Sequence, residues 1–204
     1  DWRRKVRVVD VRAEKLTNLM ARLPKEGILH NMETGQYMRV ILRVMGKGQM
    51  EEPLLWKGLS PLDYHDIGKI LLPRELAYQD QLFSDAQRYT VMGHVDYGEQ
   101  IFRQIWEEDS TAELFGKAGG NIALFHHECY DGSGYPDGRK EDEIPFLARV
   151  CAVANSFSVL RKGSSFSSPW SLEESLVALE KRSGTWFDPE IVSVFTEKTR
   201  EALE

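Results

Sequence analysis

Three observations predict an all-α fold. Few stretches of the 204 residues alternate apolar and polar side chains with the period of two that a half-buried strand requires. Apolar residues instead recur at helical spacing in segment after segment. Gly, Pro and Ser punctuation of the kind that starts and stops helices separates these segments. Together they predict a bundle of about seven to nine helices.

Taken in order, residues 2–23 carry Val6, Val9, Leu16, Leu19, Met20 and Leu23 as one stripe, which predicts a first helix. The stretch NMETGQYMRVILRVMG predicts a second, ending near Gly46. In SPLDYHDIGK, Ser60 is placed to cap a helix, with Pro61 at its first position and Asp63 in its first turn. SDAQRYTVMGHVDYGEQIFRQIW reads as one or two helices, and GGNIALFHHE as a short helix after a Gly-Gly break. DGSGYPDGRKEDEIP has the composition of a loop. IPFLARVCAVANSFSVL is a strongly apolar helix. SLEESLVALEKRSG opens on a capping box, Ser171 with Glu174, and FDPEIVSVFTEKTREALE opens on Asp188 and Pro189.

A chain this long can bury a full core. The net charge of −6 argues against a protein that grips DNA non-specifically, because displacing counterions from phosphates needs a basic face. It leaves room for a small phosphate ligand held through metal ions. The two cysteines, Cys129 and Cys151, form no CxxC pair, which points to a reducing compartment, the cytoplasm. No apolar run approaches the length of a membrane span. The chain opens on Asp1, so a preceding segment is expected.

Five histidines occur, and four of them, His65, His94, His126 and His127, stand out. A lone histidine of this kind is more often a hydrogen-bonded core residue than a ligand. Four, with Asp66 beside the first, shift the balance, because imidazole and carboxylate are the ligand set of Zn, Fe, Mn and related ions. Successive helical side chains diverge by roughly 100°, so His65 and Asp66 must straddle a shared centre. His30 reads as a packing or solvated residue with no further role.

YHDIGKILLP, GHVDYGEQI, HHECYDGSGYPDG and IPFLARVCAVAN stand in the order and approximate spacing of the HD-GYP family, and over roughly residues 28–196 the chain resembles that family. The resemblance implies an HD-domain helical bundle with a metal site between helices. Residues 1–27 then form an N-terminal helix, a linker from an upstream domain, and 28–204 the HD-GYP-like domain. It further implies one or two divalent ions, Fe or Mn first and Zn or Ni next, and hydrolysis of cyclic di-GMP or a related phosphodiester. His65 and a bridging Asp66 would be metal ligands. His94, His126 and His127 would complete one position, and Glu33 matches a glutamate that serves a third ion in some members. Lys69 would meet a substrate phosphate, with Gly134, Tyr135 and Pro136 shaping the pocket. Asp66 and Lys69 are thus the catalytic candidates. Expected partners are a cyclic dinucleotide, signalling proteins at the Gly-Tyr-Pro loop and a second copy of the chain, with no DNA and no membrane.

The chain departs from this pattern at one metal position. Tyr37 stands where the family has histidine, and Asn155 where it has aspartate. A phenol binds well only when ionised, though ferric iron accepts tyrosinate, and an amide offers only a neutral oxygen, so Tyr37 reads as an aromatic plug in vacated space first and as a ligand second. On these grounds Tyr37→His with Asn155→Asp is expected to restore a second ion. Ser164, Ser165, Phe166 and Ser167 replace a family motif rich in arginine, and serine cannot supply a guanidinium fork. Two functions therefore compete, a phosphodiesterase with impaired turnover and a degenerate module that binds a ligand or partner.

Overall fold

The computed structural model describes residues 13–77, 84–163 and 168–202. Among them run nine α-helices: α1 (Ala13–Met20), α2 (Lys25–Val44), α3 (Arg74–Ala77), α4 (Asp85–Met92), α5 (His94–Glu108), α6 (Glu113–Phe125), α7 (Phe146–Lys162), α8 (Leu172–Glu180) and α9 (Pro189–Glu201). The described residues contain no strand beyond two isolated bridges, Trp56 with Leu59 and Ser183 with Phe187. None of their helices is long and apolar enough to cross a membrane.

Two apolar clusters form the core. In the first, Met38, Ile41 and Leu42 of α2 meet Val150, Cys151 and Phe157 of α7, with Leu176 and Leu179 of α8 and Ile191 and Phe195 of α9 closing around them. In the second, Leu16 and Leu19 of α1 and the Tyr64–Ile67 segment pack on Ile101, Phe102 and Ile105 of α5 and Phe115 of α6. The buried histidines lie where elements of both clusters meet.

Three local expectations are corrected. The SPLDYHDIGK stretch is not an α-helix. Ser60 does cap it, accepting from the Leu62 amide at 3.3 Å, but two short 3-10 turns follow, Pro61–Asp63 and Ile67–Leu71. His65 and Asp66 occupy the bend between them, so the helical divergence expected for the pair does not apply. Close packing on α5 accounts for the bend. A β-carbon on Gly68 would run into the His94 carbonyl oxygen and lie 2.5 Å from the Gly98 nitrogen.

The Gly-Gly pair at 119–120 is no break either, for α6 runs through it. A β-carbon at Gly119 would overlap the Phe102 ring, so that glycine lets α6 lie against α5 and outweighs its own poor helix propensity. The second helix begins at Lys25, earlier than expected, with Pro24 as its cap residue. The predicted first helix is described only over Ala13–Met20, and residues 1–12 lie outside the described residues.

Capping starts α8 and α9 as the sequence predicts. Ser171 and Glu174 form their reciprocal capping box, and Asp188 accepts from the amides of Glu190 and Ile191. An Arg149–Asp188 ion pair at 2.6 Å ties α7 to the start of α9.

Candidate metal centre

Four segments bring their side chains to one buried point. His30 comes from α2, and His65 and Asp66 from the bend after Pro61–Asp63. His94 opens α5, while His126 caps the end of α6 and His127 follows it. Two ligand-like groups result, Asp66 with His94, His126 and His127, and Asp66 with His30 and His65. Within each, one donor atom per residue lies within 4.8 Å of the others.

The two carboxylate oxygens of Asp66 divide between the groups. Oδ1 lies 3.2 Å from Nε2 of His94 and 3.7 Å from Nε2 of His126. Oδ2 lies 3.5 Å from Nε2 of His65 and 3.8 Å from Nε2 of His30. Lys69 also donates to Oδ2, at 2.5 Å.

Buried side chains around the bend hold this arrangement. Asn31 donates to the Gly27 carbonyl at 2.9 Å and accepts from the Asp66 amide at 3.0 Å, fixing the backbone of Asp66 against α2. Arg39 of α2 grips both oxygens of Asp63, at 2.7 and 2.8 Å, and also donates to Glu51. Such a bidentate pair sets orientation as well as distance. No motif flagged Asn31; its signal in the sequence is an amide on a helix face that otherwise packs inward.

The protonation pattern fits a cation. Nδ1 of His94 lies 2.7 Å from the Val91 carbonyl, and Nδ1 of His126 lies 3.0 and 3.1 Å from the carbonyls of Ala123 and Ile122. Carbonyls only accept, so each Nδ1 carries the proton, and in a neutral ring Nε2 presents a lone pair. Those Nε2 atoms, Oδ1 of Asp66 and both ring nitrogens of His65 are buried without a hydrogen-bond partner. A buried polar atom left this way costs about 1–3 kcal/mol, and here several acceptors face one another. A divalent ion between them resolves the conflict.

Burial holds His65 and His127 well below the ordinary imidazole range, against the upward pull of Asp66, and lowers His94 in the same way. All three are neutral at pH 7, the form that ligates metals. Burial acts to raise the Asp66 carboxyl, but the Lys69 ammonium beside it holds it well below the usual carboxylate range, so Asp66 is ionised.

The other sequence candidates fall into three places. Tyr135 stacks on His127, rings 4.8 Å apart, and its backbone amide donates to the His127 carbonyl at 3.2 Å. Gly134 permits this return of the loop, since a β-carbon there would lie 2.5 Å from that same carbonyl oxygen. Pro136 follows in the same loop. Asn155 of α7 and Tyr135 line a cleft of about 670 Å³ that opens on His126 and His127.

Glu33 enters neither ligand group among the described residues, and its carboxylate accepts from Ser158 at 3.2 Å. Tyr37 packs edge-on against Phe157, ring centroids 4.9 Å apart, and burial raises its phenol above the ordinary range. It thus joins the first apolar cluster as a neutral side chain. His30, read from the sequence as a packing or solvated residue, lies beside Asp66 and His65. The serine-rich replacement at 164–167 lies outside the described residues.

Glu128, quoted within the His-His-Glu motif without a role, proves to be the anchor of the Gly-Tyr-Pro loop. Its carboxylate accepts from the amides of Asp137 at 2.8 Å, Gly138 at 3.1 Å and Arg139 at 3.1 Å. Glu128→Ala leaves three amides without this acceptor and is expected to cost about 1–3 kcal/mol. Hydrogen exchange should show the amides of residues 137–139 losing protection while those of α5 keep theirs. Unchanged protection would remove Glu128 from this role.

Comparison with known proteins gives a consistent pattern. A family model described as HD domain matches residues 19–191. The chain is 31% identical over 183 residues to the 3′3′-cGAMP-specific phosphodiesterase 2 of Vibrio cholerae, covering 89% of this chain and 33% of that protein. It is 34% identical over 140 residues to a cyclic di-GMP phosphodiesterase of Thermotoga maritima, covering 69% of this chain and 36% of that one. The chain therefore spans about a third of the length of these curated relatives. The crystal structure of a cyclic GMP-AMP specific phosphodiesterase from V. cholerae matches with a TM-score of 0.52 at 22% identity, over 91% of this chain and 47% of that one. That likeness is one of fold.

Proposed function

The chain belongs to the HD domain family, in its HD-GYP branch, and from that premise we propose that it hydrolyses a phosphodiester bond of a cyclic dinucleotide, cyclic di-GMP or 3′3′-cGAMP. HD domains are metal-dependent, and the buried His/Asp groups supply a fitting ligand set. The observation that carries the reading is the shared Asp66, one carboxylate facing two imidazole groups at the edge of a ligand-sized cleft. Imidazole with carboxylate suits Mn and Fe, with Zn and Ni as further candidates. A divalent ion bound there supplies Lewis acidity toward a phosphoryl oxygen and a lowered pKa for water.

The remaining work falls to the chain. His94, His126 and His127 offer imidazole nitrogens from helix ends. Lys69 sets a positive charge beside Asp66, where it offsets negative charge at the centre. The Tyr135 ring walls one side of the cleft against His127, and burial keeps its phenol protonated and able to donate.

Substrate grip has its own candidates. Arg88 and Arg182 line the cleft although the chain as a whole is acidic. The Arg182 guanidinium lies 3.5 Å from the centre of the half-exposed Trp186 ring, and Trp170 lines the same cleft. Flat faces beside a guanidinium suit a purine base and the phosphate attached to it.

Purified protein loaded with Mn or Fe should convert one of the two cyclic dinucleotides to a linear product, followed by chromatography. Arg182→Ala should raise KM about tenfold or more with a smaller change in kcat, as expected for one charge-assisted contact worth about 1.5–3 kcal/mol. Metal uptake and ligand binding without any product would show a binding module instead of an enzyme.

A further inference from the structure

We propose that the second ion position in this chain is displaced along α2 rather than lost, with His30 serving as the α2 ligand alongside His65 and the Oδ2 side of Asp66. The proposal rests on the metal-dependent reading above and adds the ligand that the sequence pattern lacks. The occupant is a divalent first-row ion, Mn or Fe.

Residues 30 and 37 lie seven apart, close to two helical turns, so both fall on nearly the same face of α2. Tyr37 is turned to Phe157 and the apolar cluster. His30 is turned to the centre. Its Nε2 is 3.8 Å from Oδ2 of Asp66, and its ring centroid is 5.1 Å from that of His65. His65 points the same way from a fully buried position, and neither of its ring nitrogens has a hydrogen-bond partner.

The surroundings of His30 select the ligating tautomer. Ser158 on α7 donates its single hydroxyl proton to Glu33, at 3.2 Å. Its oxygen then remains to accept from Nδ1 of His30, 3.4 Å away. With Nδ1 protonated, Nε2 presents its lone pair toward Asp66 and His65. Glu33, a candidate ligand on sequence grounds, thereby becomes a positioning residue for His30. Asn155 lies beside His30, its side chain within hydrogen-bonding reach of the imidazole.

Lys69 shares Oδ2 of Asp66, so the second ion competes with an ammonium group and binds more weakly than the first. Two unequal affinities are expected in a titration.

Chelator-stripped protein should be titrated anaerobically with Mn(II), reading ions per chain by elemental analysis and spin coupling by electron paramagnetic resonance. The wild type should take up about two ions, one per ligand group, with the spectrum of a coupled pair. His30→Ala should lose about one ion and the coupling, and added imidazole should bring both back. His30→Gln, which keeps the bulk of the side chain, should lose the ion too. Tyr37→His with Asn155→Asp should add no ion beyond the wild-type number.

Retention of a coupled pair in folded His30→Ala or His30→Gln overturns the proposal. So does a wild type that binds one uncoupled ion, an outcome that leaves the His94, His126 and His127 position and the hydrolase reading standing. Only a wild type that binds no ion sinks that broader reading as well. If both His30 variants fail to fold, the wild-type stoichiometry and coupling still decide between a pair and a single ion.

Discussion

Asp66→Asn should strip metal from both ligand groups at once, the largest functional loss expected of any single substitution in this chain. Each oxygen of the carboxylate faces a different set of imidazoles, and among the described residues Asp66 alone belongs to both groups. Asparagine keeps the size but presents one neutral oxygen and an amide that repels a cation. Metal affinity and turnover should both fall by well over about a hundredfold, since loss of mere supporting partners around a metal already costs about 10–100-fold. Helix content by circular dichroism should stay at the wild-type level, because the Asp66 amide still donates to Asn31. Wild-type metal content in Asp66→Asn would show that the imidazoles alone hold the ions and would discard the bridging role.

Gly68→Ala should give the largest loss of stability, and it should damage the same centre indirectly. The added methyl meets the backbone of His94 and Gly98, atoms that cannot rotate away as the end of a flexible side chain can. Overpacking of this kind costs about 1–3 kcal/mol or more. For a chain of this size the melting temperature should drop by roughly 2–4 °C per kcal/mol. The only relief is to move the 67–71 turn off α5, which also draws Asp66 away from His94. A separation of that order weakens metal binding well before the protein unfolds. Gly48→Ala is the control, since the nearest atom to its added methyl is the Arg43 Cα at 3.7 Å, an ordinary contact. Its melting temperature should stay close to wild type. Equal stability and equal metal affinity in the two variants would mean the 67–71 turn adjusts freely and does not register Asp66 against α5.

These two substitutions mark different kinds of information in the chain. Asp66 is legible in the sequence because the chemistry of a carboxylate next to histidine is local, and the motif around it is dense. The same holds for His126 and His127, adjacent in the chain, and for the caps at Ser171 and Asp188, whose partners lie within a few residues. Gly119 misled because its helix propensity argues for a break, whereas the ring of Phe102, seventeen positions earlier, requires the absence of a side chain there. Asn31 and Glu128 were silent because their partners are backbone amides, which carry no signature in the residue pattern.

By itself, the sequence determined the all-α class, the caps at Ser171 and Asp188 and the family, and it singled out Asp66 and four histidines as ligand candidates, since each rests on side-chain chemistry or on periodicity within one segment. Only the tertiary structure decided that Tyr37 serves the apolar core while His30 faces Asp66, that His65 and Asp66 sit in a bend, and that Glu33 holds Ser158. Those outcomes depend on how α2 is rotated against α7 and how closely the 67–71 turn approaches α5. Both are set by contacts between residues far apart in the chain, where a side chain's direction is fixed by what packs against it.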